Sequence, residues 1–159
     1  MFQSKESILA GHTENSVFIE APLDLVWEVT NRVEGWPDLF TEYAQATVLE
    51  RSGDTLRFRL TTRPDESGTV WSWVSERTAD SRIHEVRARR IETGPFEYMN
   101  IHWTYEPVGS GTKMRWIQDF HMKPDAPVDD AQMEERINRN TSMQMTAIKD
   151  KIERQARTG

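Results

Sequence analysis

Short turn clusters divide the middle of the chain into six runs that alternate apolar and polar residues. The runs cover residues 44–51, 54–62, 69–79, 82–93, 96–106 and 112–122, and they are rich in Val, Thr, Phe and Trp. The turn signals between them, such as Gly94-Pro95 and Gly109-Ser110-Gly111, are too short to hold a crossover helix. Consecutive runs must therefore pair as antiparallel strands, which predicts a meander.

Further elements flank this meander. An alternating segment at 16–20 predicts another strand, followed by a helix that begins at Pro22 and ends near Gly35. Pro37 allows a second short helix that ends at Phe40. The segment 129–154 has no Gly or Pro, begins acidic and ends basic, which predicts one long C-terminal helix.

Together these elements predict an α+β protein with a helix-grip fold. A curved, seven-stranded antiparallel sheet would wrap around the long C-terminal helix, with two short helices after the first strand. A bent sheet and one helix leave space between them, so an interior pocket is expected. With 159 residues the chain is expected to form a single domain at residues 12–159, after a polar, disordered leader at residues 1–11.

The composition excludes several classes of function. The chain has no Cys, so it has no disulfide, thiolate nucleophile or Cys-ligated metal. A net charge of −6 argues against a nucleic-acid surface. No apolar run approaches the ~18 residues of a membrane span, which predicts a cytoplasmic protein without a membrane partner. The four His residues lack ligand spacing, so no metal is expected.

Strand alternation also predicts which side chains face the interior. One face of the run 70–78 carries two indoles, a hydroxyl and a guanidinium: Trp71, Trp73, Ser75 and Arg77. The indoles mark this face as the buried one, and a charged guanidinium there needs water, an acceptor or a ligand oxygen. Alternation alone does not exclude a second interpretation, in which Arg77 reaches the rim and pairs with a surface carboxylate.

Other elements add candidates for the interior. Met99 and Trp103 share the apolar face of the run 96–106, Gln118 lies on the inner face of the last run, and Arg90 follows a weaker alternation. On the C-terminal helix, Gln144 falls within a stripe of Met and Ile, for which ordinary core packing is the alternative. A pocket of aromatic and Met side chains with a few amides and arginines suits a large, flat, oxygen-rich ligand.

Five motifs carry a family resemblance over nearly the whole chain. They are VWEVTN at 26–31, GWPDLFTEY at 35–43, VWSWVSER at 70–77, ETGPFEYMN at 92–100 and MKPDAP at 122–127. These motifs closely resemble the single-domain aromatase/cyclases of bacterial aromatic (type II) polyketide synthesis, above all the tetracenomycin and spore-pigment enzymes. That family has the helix-grip fold of the START and Bet v 1 superfamily.

The resemblance implies a specific activity. The family takes a poly-β-ketone tethered to an acyl carrier protein, closes the first ring by aldol condensation and dehydrates it to an aromatic ring, without metal or organic cofactor. For this branch the resemblance implies closure between the ninth and fourteenth carbons (C9–C14) of an unreduced chain, in antibiotic or spore-pigment biosynthesis. The implied partners are the acyl carrier protein and the ketosynthase/chain-length-factor complex.

The resemblance also implies residue roles. Arg77 would be the key polar group and Tyr43 a proton donor or relay. The remaining positions would line the substrate pocket: Trp36, Phe40, Trp71, Trp73, Ser75, Arg90, Met99, Trp103, Gln118 and Gln144.

Two other functions remain open from the sequence. The same fold holds hydrophobic ligands elsewhere, so the chain could be a non-catalytic carrier of a planar polyketide or another hydrophobic ligand. It could also be an interaction module of the synthase. An acidic carrier protein would need a local basic patch, for which Arg87 and Arg89 are candidates, although a solvated strand face explains them equally well.

Overall fold

A computed structural model describes residues 10–158 of the chain, and the order of its elements agrees with the prediction. The elements are β1 (Gly11–Ile19), α1 (Leu23–Asn31), a 3₁₀ turn (Val33–Gly35), α2 (Trp36–Leu39), β2 (Tyr43–Ser52), β3 (Thr55–Thr62), β4 (Ser72–Asp80), β5 (Glu85–Arg90), β6 (Phe96–Val108), β7 (Gly111–Met122) and α3 (Asp130–Thr158).

The strands form one antiparallel sheet in the order β1-β7-β6-β5-β4-β3-β2. Register shifts in β2 and at the start of β6 insert extra residues, and such bulges bend a sheet. α3 lies against the sheet through an apolar stripe that includes Met145, Ile148 and Ile152. The predicted helix-grip fold is confirmed.

Three strands begin three or more residues away from their predicted start. β1 begins at Gly11 instead of residue 16, and residues 1–9 of the predicted leader lie outside the described residues. β4 begins at Ser72 instead of residue 69. β5 begins at Glu85 instead of residue 82, because His84 takes a left-handed backbone conformation (φ +54°) that interrupts the strand.

The buried side chains form two clusters at opposite ends of α3. The first contains the aromatic residues of α1, α2 and the sheet together with the C-terminal half of α3. The second packs Phe96, Met99, Phe120 and Met122 against Met133 near the start of α3. Within residues 10–158, no helix is long and apolar enough to cross a membrane.

Candidate active site

Arg77 projects from β4 into the concave face of the sheet and is only 3% exposed. Its guanidinium carbon lies 5.4 Å from the Trp36 ring centre and 5.3 Å from the Trp103 ring centre. Burial lowers the pKa of Arg77 to about 10, so the group remains charged near neutral pH. Its Nη2 has no hydrogen-bond partner. The structure therefore contradicts the rim interpretation and leaves one buried donor free for a ligand.

Aromatic rings fill the space around this guanidinium. Trp103 stacks on Trp116 at 4.5 Å between ring centres, and Trp36 and Phe40 of the α2 segment lie on these two rings at 5.9 Å each. Three predicted lining residues, Trp36, Phe40 and Trp103, thus meet in the interior, but here they contact one another. Two clefts lie on the outer surface, beside α1 and beside residues 121–130. Trp36 lies beside the Arg77 guanidinium, so a ligand at Arg77 would contact this ring.

The hydroxyl group of Tyr105 is buried near Arg77, and the sequence analysis did not select this residue. Its hydroxyl lies 2.7 Å from Thr30 Oγ1, and Thr30 in turn donates to the Val26 carbonyl oxygen. Burial raises the pKa of Tyr105 to about 12, so the phenol stays protonated near neutral pH. Its alternation with Trp103 on β6 is the signal that could have identified it.

Tyr43 lies in a second polar group with Glu42 and Arg90. The Tyr43 hydroxyl lies near the Glu42 carboxyl group, and the Asn140 side-chain amide donates to Glu42 Oε2 at 3.2 Å. The Arg90 guanidinium carbon lies 4.0 Å from the Trp73 ring centre. Burial raises the pKa of Tyr43 well above 10 and lowers the pKa of Arg90 to about 10. Tyr43 is thus a protonated phenol beside a buried carboxylate.

The carboxylate of Glu42 makes stability depend on pH. Burial raises the pKa of Glu42 above its ordinary 4.5, although bonds from Asn140 and Tyr43 act in the opposite direction. The unfolded chain releases this proton at lower pH, so the folded protein loses stability as the pH rises from 4.5 through the raised pKa.

We expect Glu42→Gln to remove this loss, because the amide does not titrate. Urea unfolding of the wild type and the Glu42→Gln variant at about pH 4 and about pH 7 measures the effect. The free energy of unfolding of the variant, relative to that of the wild type, should be higher at about pH 7 than at about pH 4. A difference that is the same at both pH values would contradict the assignment.

Gln144 connects α3 to the segment after α2. Its Oε1 accepts from the Thr41 backbone N–H, and its Nε2 donates to Thr41 Oγ1, both at 2.8 Å. Nε2 also lies 3.3 Å from Asn140 Oδ1. The polar atoms of this predicted substrate contact are therefore used within the protein. Gln144 fixes the end of the α2 segment against the long helix.

Replacing Gln144 by Leu is expected to lower the free energy of unfolding by about 1–3 kcal/mol, because two hydrogen bonds to Thr41 are lost together. Met143→Leu, on the exposed neighbouring position, serves as the control and should leave stability unchanged. Urea unfolding measures both variants. Equal stability of the Gln144→Leu variant and the wild type would mean that the amide is free for substrate.

Trp71 does not share the interior with the other tryptophans, and its predicted place on that face is wrong. It precedes β4, is 48% exposed, and its Nε1 donates to Asp65 Oδ2 at 3.1 Å. Asp65 also accepts from the backbone N–H groups of Ser67 and Thr69. These bonds hold the loop before β4 in a turn, so strand alternation does not extend back to Trp71.

The remaining predicted positions do lie on the concave face. Ser75 and Met99 are buried, and the Gln118 side-chain oxygen is buried without a hydrogen-bond partner. Thr13 on β1, which the sequence analysis missed, has the same property at Oγ1. Extending the alternation of 16–20 backwards along the chain would have shown that Thr13 is in step with Val17 and Ile19.

Three His residues pair with carboxylates: His12 with Asp119 and Glu14, His102 with Glu85, and His121 with Asp130. In the part of the chain that the structure describes, no group of three His, Asp or Glu side chains could hold a metal ion.

Sequence comparisons identify close relatives. The model of the family described as polyketide cyclase/dehydrase and lipid transport matches residues 19–149. A Streptomyces cyaneus protein assigned as a polyketide cyclase is 63% identical over 145 residues, which cover 91% of this chain and 95% of that protein. The actinorhodin polyketide synthase bifunctional cyclase/dehydratase of Streptomyces coelicolor is 32% identical over 133 residues, or 81% of this chain and 40% of that protein.

Solved structures share the fold. The Zhui aromatase/cyclase from Streptomyces sp. R1128 superposes with a TM-score of 0.82 at 25% identity, covering 91% of this chain and 94% of that chain. A START superfamily protein from Mycobacterium smegmatis is 14% identical with a TM-score of 0.78, covering 90% and 97% of the two chains, and so supports the fold alone. By sequence and by structure, the chain belongs to the polyketide cyclase/dehydrase and lipid transport family, as one of its polyketide cyclases.

Proposed function

We propose that this polyketide cyclase closes the first ring of a poly-β-ketone bound to an acyl carrier protein and dehydrates it to an aromatic ring. One observation carries the proposal. Arg77 is a buried, charged guanidinium among indole rings, and one of its N–H donors has no partner. A ketone oxygen is the acceptor that this donor lacks, and an aromatic lining suits a folded polyketone.

The aldol step needs a polarised carbonyl more than it needs a strong base. The methylene between two ketones is already acidic, so its enol form can attack a distant ketone carbon. A carbon–carbon bond forms, the carbonyl electron pair moves to oxygen, and Arg77 stabilises the charge that develops there. The proton of the attacking enol passes to this oxygen and gives a hydroxyl group. A second proton, from a nearby acid, lets the hydroxyl leave as water. The carbon that formed the new bond gives its remaining hydrogen to the conjugate base of that acid as the ring double bond forms.

Tyr43 is the proposed source of the second proton. Its phenol is protonated at neutral pH because burial raises its pKa well above 10. Glu42, which lies beside Tyr43 and has a raised pKa, can return the proton to it. Tyr43 and Arg77 both contact the Trp36 ring, at 6.1 Å between ring centres and at 5.4 Å from the guanidinium carbon. A substrate oxygen beside Trp36 would therefore lie near both groups.

The proposed regiospecificity is closure between C9 and C14 of an unreduced chain. A flexible polyketone can close many rings, and fixing one conformer contributes several kcal/mol, part of the ~7–11 kcal/mol that full orientation can supply. The tightly packed indoles of Trp36, Trp103 and Trp116 support this role, since they would hold the chain in one bend.

The proposed partners are the acyl carrier protein and the ketosynthase/chain-length-factor complex, in the cytoplasm. The relationship to a cyclase/dehydratase of the actinorhodin polyketide synthase supports this context. Arg87 and Arg89 project from the outer face of β5, and Arg89 is bonded to Glu76. They are the proposed contacts for the acidic carrier protein.

A non-catalytic carrier is the second candidate, because the family description also includes lipid transport. The product profile of a minimal polyketide synthase, with and without the wild-type protein, separates the two functions. An enzyme should redirect shunt products to one first-ring pattern. A carrier should leave the profile unchanged while it still binds polycyclic aromatic compounds.

A further inference from the structure

One in-register row of side chains crosses five strands on the concave face of the sheet. Thr13 of β1 pairs with Gln118 of β7, and Gln118 pairs with Ile101 of β6. Ile101 pairs with Ala88 of β5, and Ala88 pairs with Arg77 of β4. The row therefore has a polar group at each end and two apolar residues between them.

Each polar member of this row has a buried atom without a partner: Thr13 Oγ1, Gln118 Oε1 and Arg77 Nη2. Thr13 is only 2% exposed, so water at the molecular surface does not satisfy its hydroxyl. Unpaired buried polar atoms destabilise a fold, and native proteins keep few of them. Three such unpaired atoms in one row indicate a site where a ligand supplies the missing hydrogen-bond partners.

The pairing of Thr13 with Gln118 defines the ligand atom. Side chains directly opposite on antiparallel strands have Cβ atoms about 4.5–5.5 Å apart, so both can reach one small group. Thr13 offers a hydroxyl that lacks a partner, and Gln118 offers an acceptor that lacks a donor. A ligand O–H group satisfies both, because it accepts from Thr13 and donates to Gln118.

The distance from Arg77 defines the size of the ligand. Gln118 and Arg77 are separated by three strand steps of about 4.8 Å, or ~14 Å along the sheet. Only an elongated molecule with oxygen atoms along its length can bind at both ends of the row. Ile101 and Ala88 would contact the carbon chain between those oxygens.

We propose that Thr13, together with Gln118, forms a second oxygen-binding site that takes an enol or phenol hydroxyl of the molecule whose ketone Arg77 binds. This proposal rests on the proposed function for the identity of that molecule. Thr13 is then a specificity-determining residue, since it fixes which oxygen of the chain lies at β1 and hence which carbons meet at Arg77.

Thr13→Val tests the proposal, with Thr13→Ser as the matched control. Val has the same shape without the hydroxyl, and because Oγ1 has no partner its thermal unfolding should be unchanged or improved. The probes are 2,6-dihydroxyanthraquinone, whose free hydroxyls lie at opposite ends of its long axis, and unsubstituted anthraquinone, with binding followed by tryptophan fluorescence. We expect Thr13→Val to weaken binding of the dihydroxy probe roughly three- to tenfold, which corresponds to one hydrogen bond. Binding of anthraquinone should be unchanged. Thr13→Ser should bind both like the wild type.

Equal binding of the dihydroxy probe by Thr13→Val and wild type, or no binding of it by the wild type, would overturn the proposal. The product profile of the minimal synthase adds an independent readout. If the wild type redirects products and Thr13→Val does so equally, the second site is wrong and the proposed function stands. If the wild type redirects nothing while the probe results hold, the proposed function is wrong and Thr13 remains a ligand contact.

Discussion

Replacing Arg77 by Met is expected to make the protein more stable and to abolish control of the first ring. Burial lowers the pKa of Arg77 from 12.5 to about 10. That shift corresponds to a free-energy cost of about 3 kcal/mol for burying the charged guanidinium. Met has a similar length and no charge, so it removes this cost and loses only the contacts of a cation with Trp36 and Trp103. The expected net gain is about 1–3 kcal/mol in the free energy of unfolding.

Urea unfolding and first-ring formation must be measured on the same preparations. Removal of one preorganised donor from a developing oxyanion typically costs about 100- to 1,000-fold in rate. We therefore expect ring formation to fall by about that factor while stability rises. Arg139→Met is the matched control, because this arginine is 64% exposed on α3 and should affect neither property strongly. A destabilised Arg77→Met variant would mean that Arg77 supports the fold.

Replacing Trp103 by Ala is expected to give the largest loss of stability. Its ring stacks on Trp116 at 4.5 Å and lies 5.9 Å from Trp36, and it is 7% exposed. Truncation of such a residue leaves a cavity and typically costs about 3–5 kcal/mol. Thermal or urea unfolding of the purified variant measures the effect.

Trp71→Ala provides the control for this second prediction. The indole of Trp71 is half exposed and makes one hydrogen bond to Asp65, so its removal should cost about 1 kcal/mol or less. Similar losses from the two substitutions would contradict the separation of an interior tryptophan cluster from an exposed Trp71.

The fold could be predicted from local sequence because each strand and helix carries its own signal. Period-two alternation predicts the meander, and the absence of Gly and Pro at residues 129–154 predicts α3. The errors occur where side-chain hydrogen bonds or backbone conformation override alternation. Asp65 holds the turn before β4, and the left-handed His84 delays β5. Neither is visible in a hydrophobic pattern.

The candidate site could be predicted only where it lies on alternating strands. Alternation predicts Trp103 on the inner face and allows Arg77 there or at the rim, and the structure places both inside. One of the two indoles that mark this face in the sequence, Trp71, lies outside it. Thr13 was missed because the first half of β1 is polar, and its burial depends on pairing with β7, which is distant in sequence. The contacts of Gln144 with Thr41 join segments 103 residues apart, so no local pattern could reveal them.

The most direct test is the fraction of first-ring product that a reconstituted minimal synthase makes with Arg77→Met beside Arg139→Met. We expect the Arg139→Met variant to redirect products like the wild type. We expect the folded Arg77→Met variant to give the same shunt products as the synthase without any cyclase. Full redirection by a folded Arg77→Met variant would contradict the claim that this buried guanidinium directs ring closure.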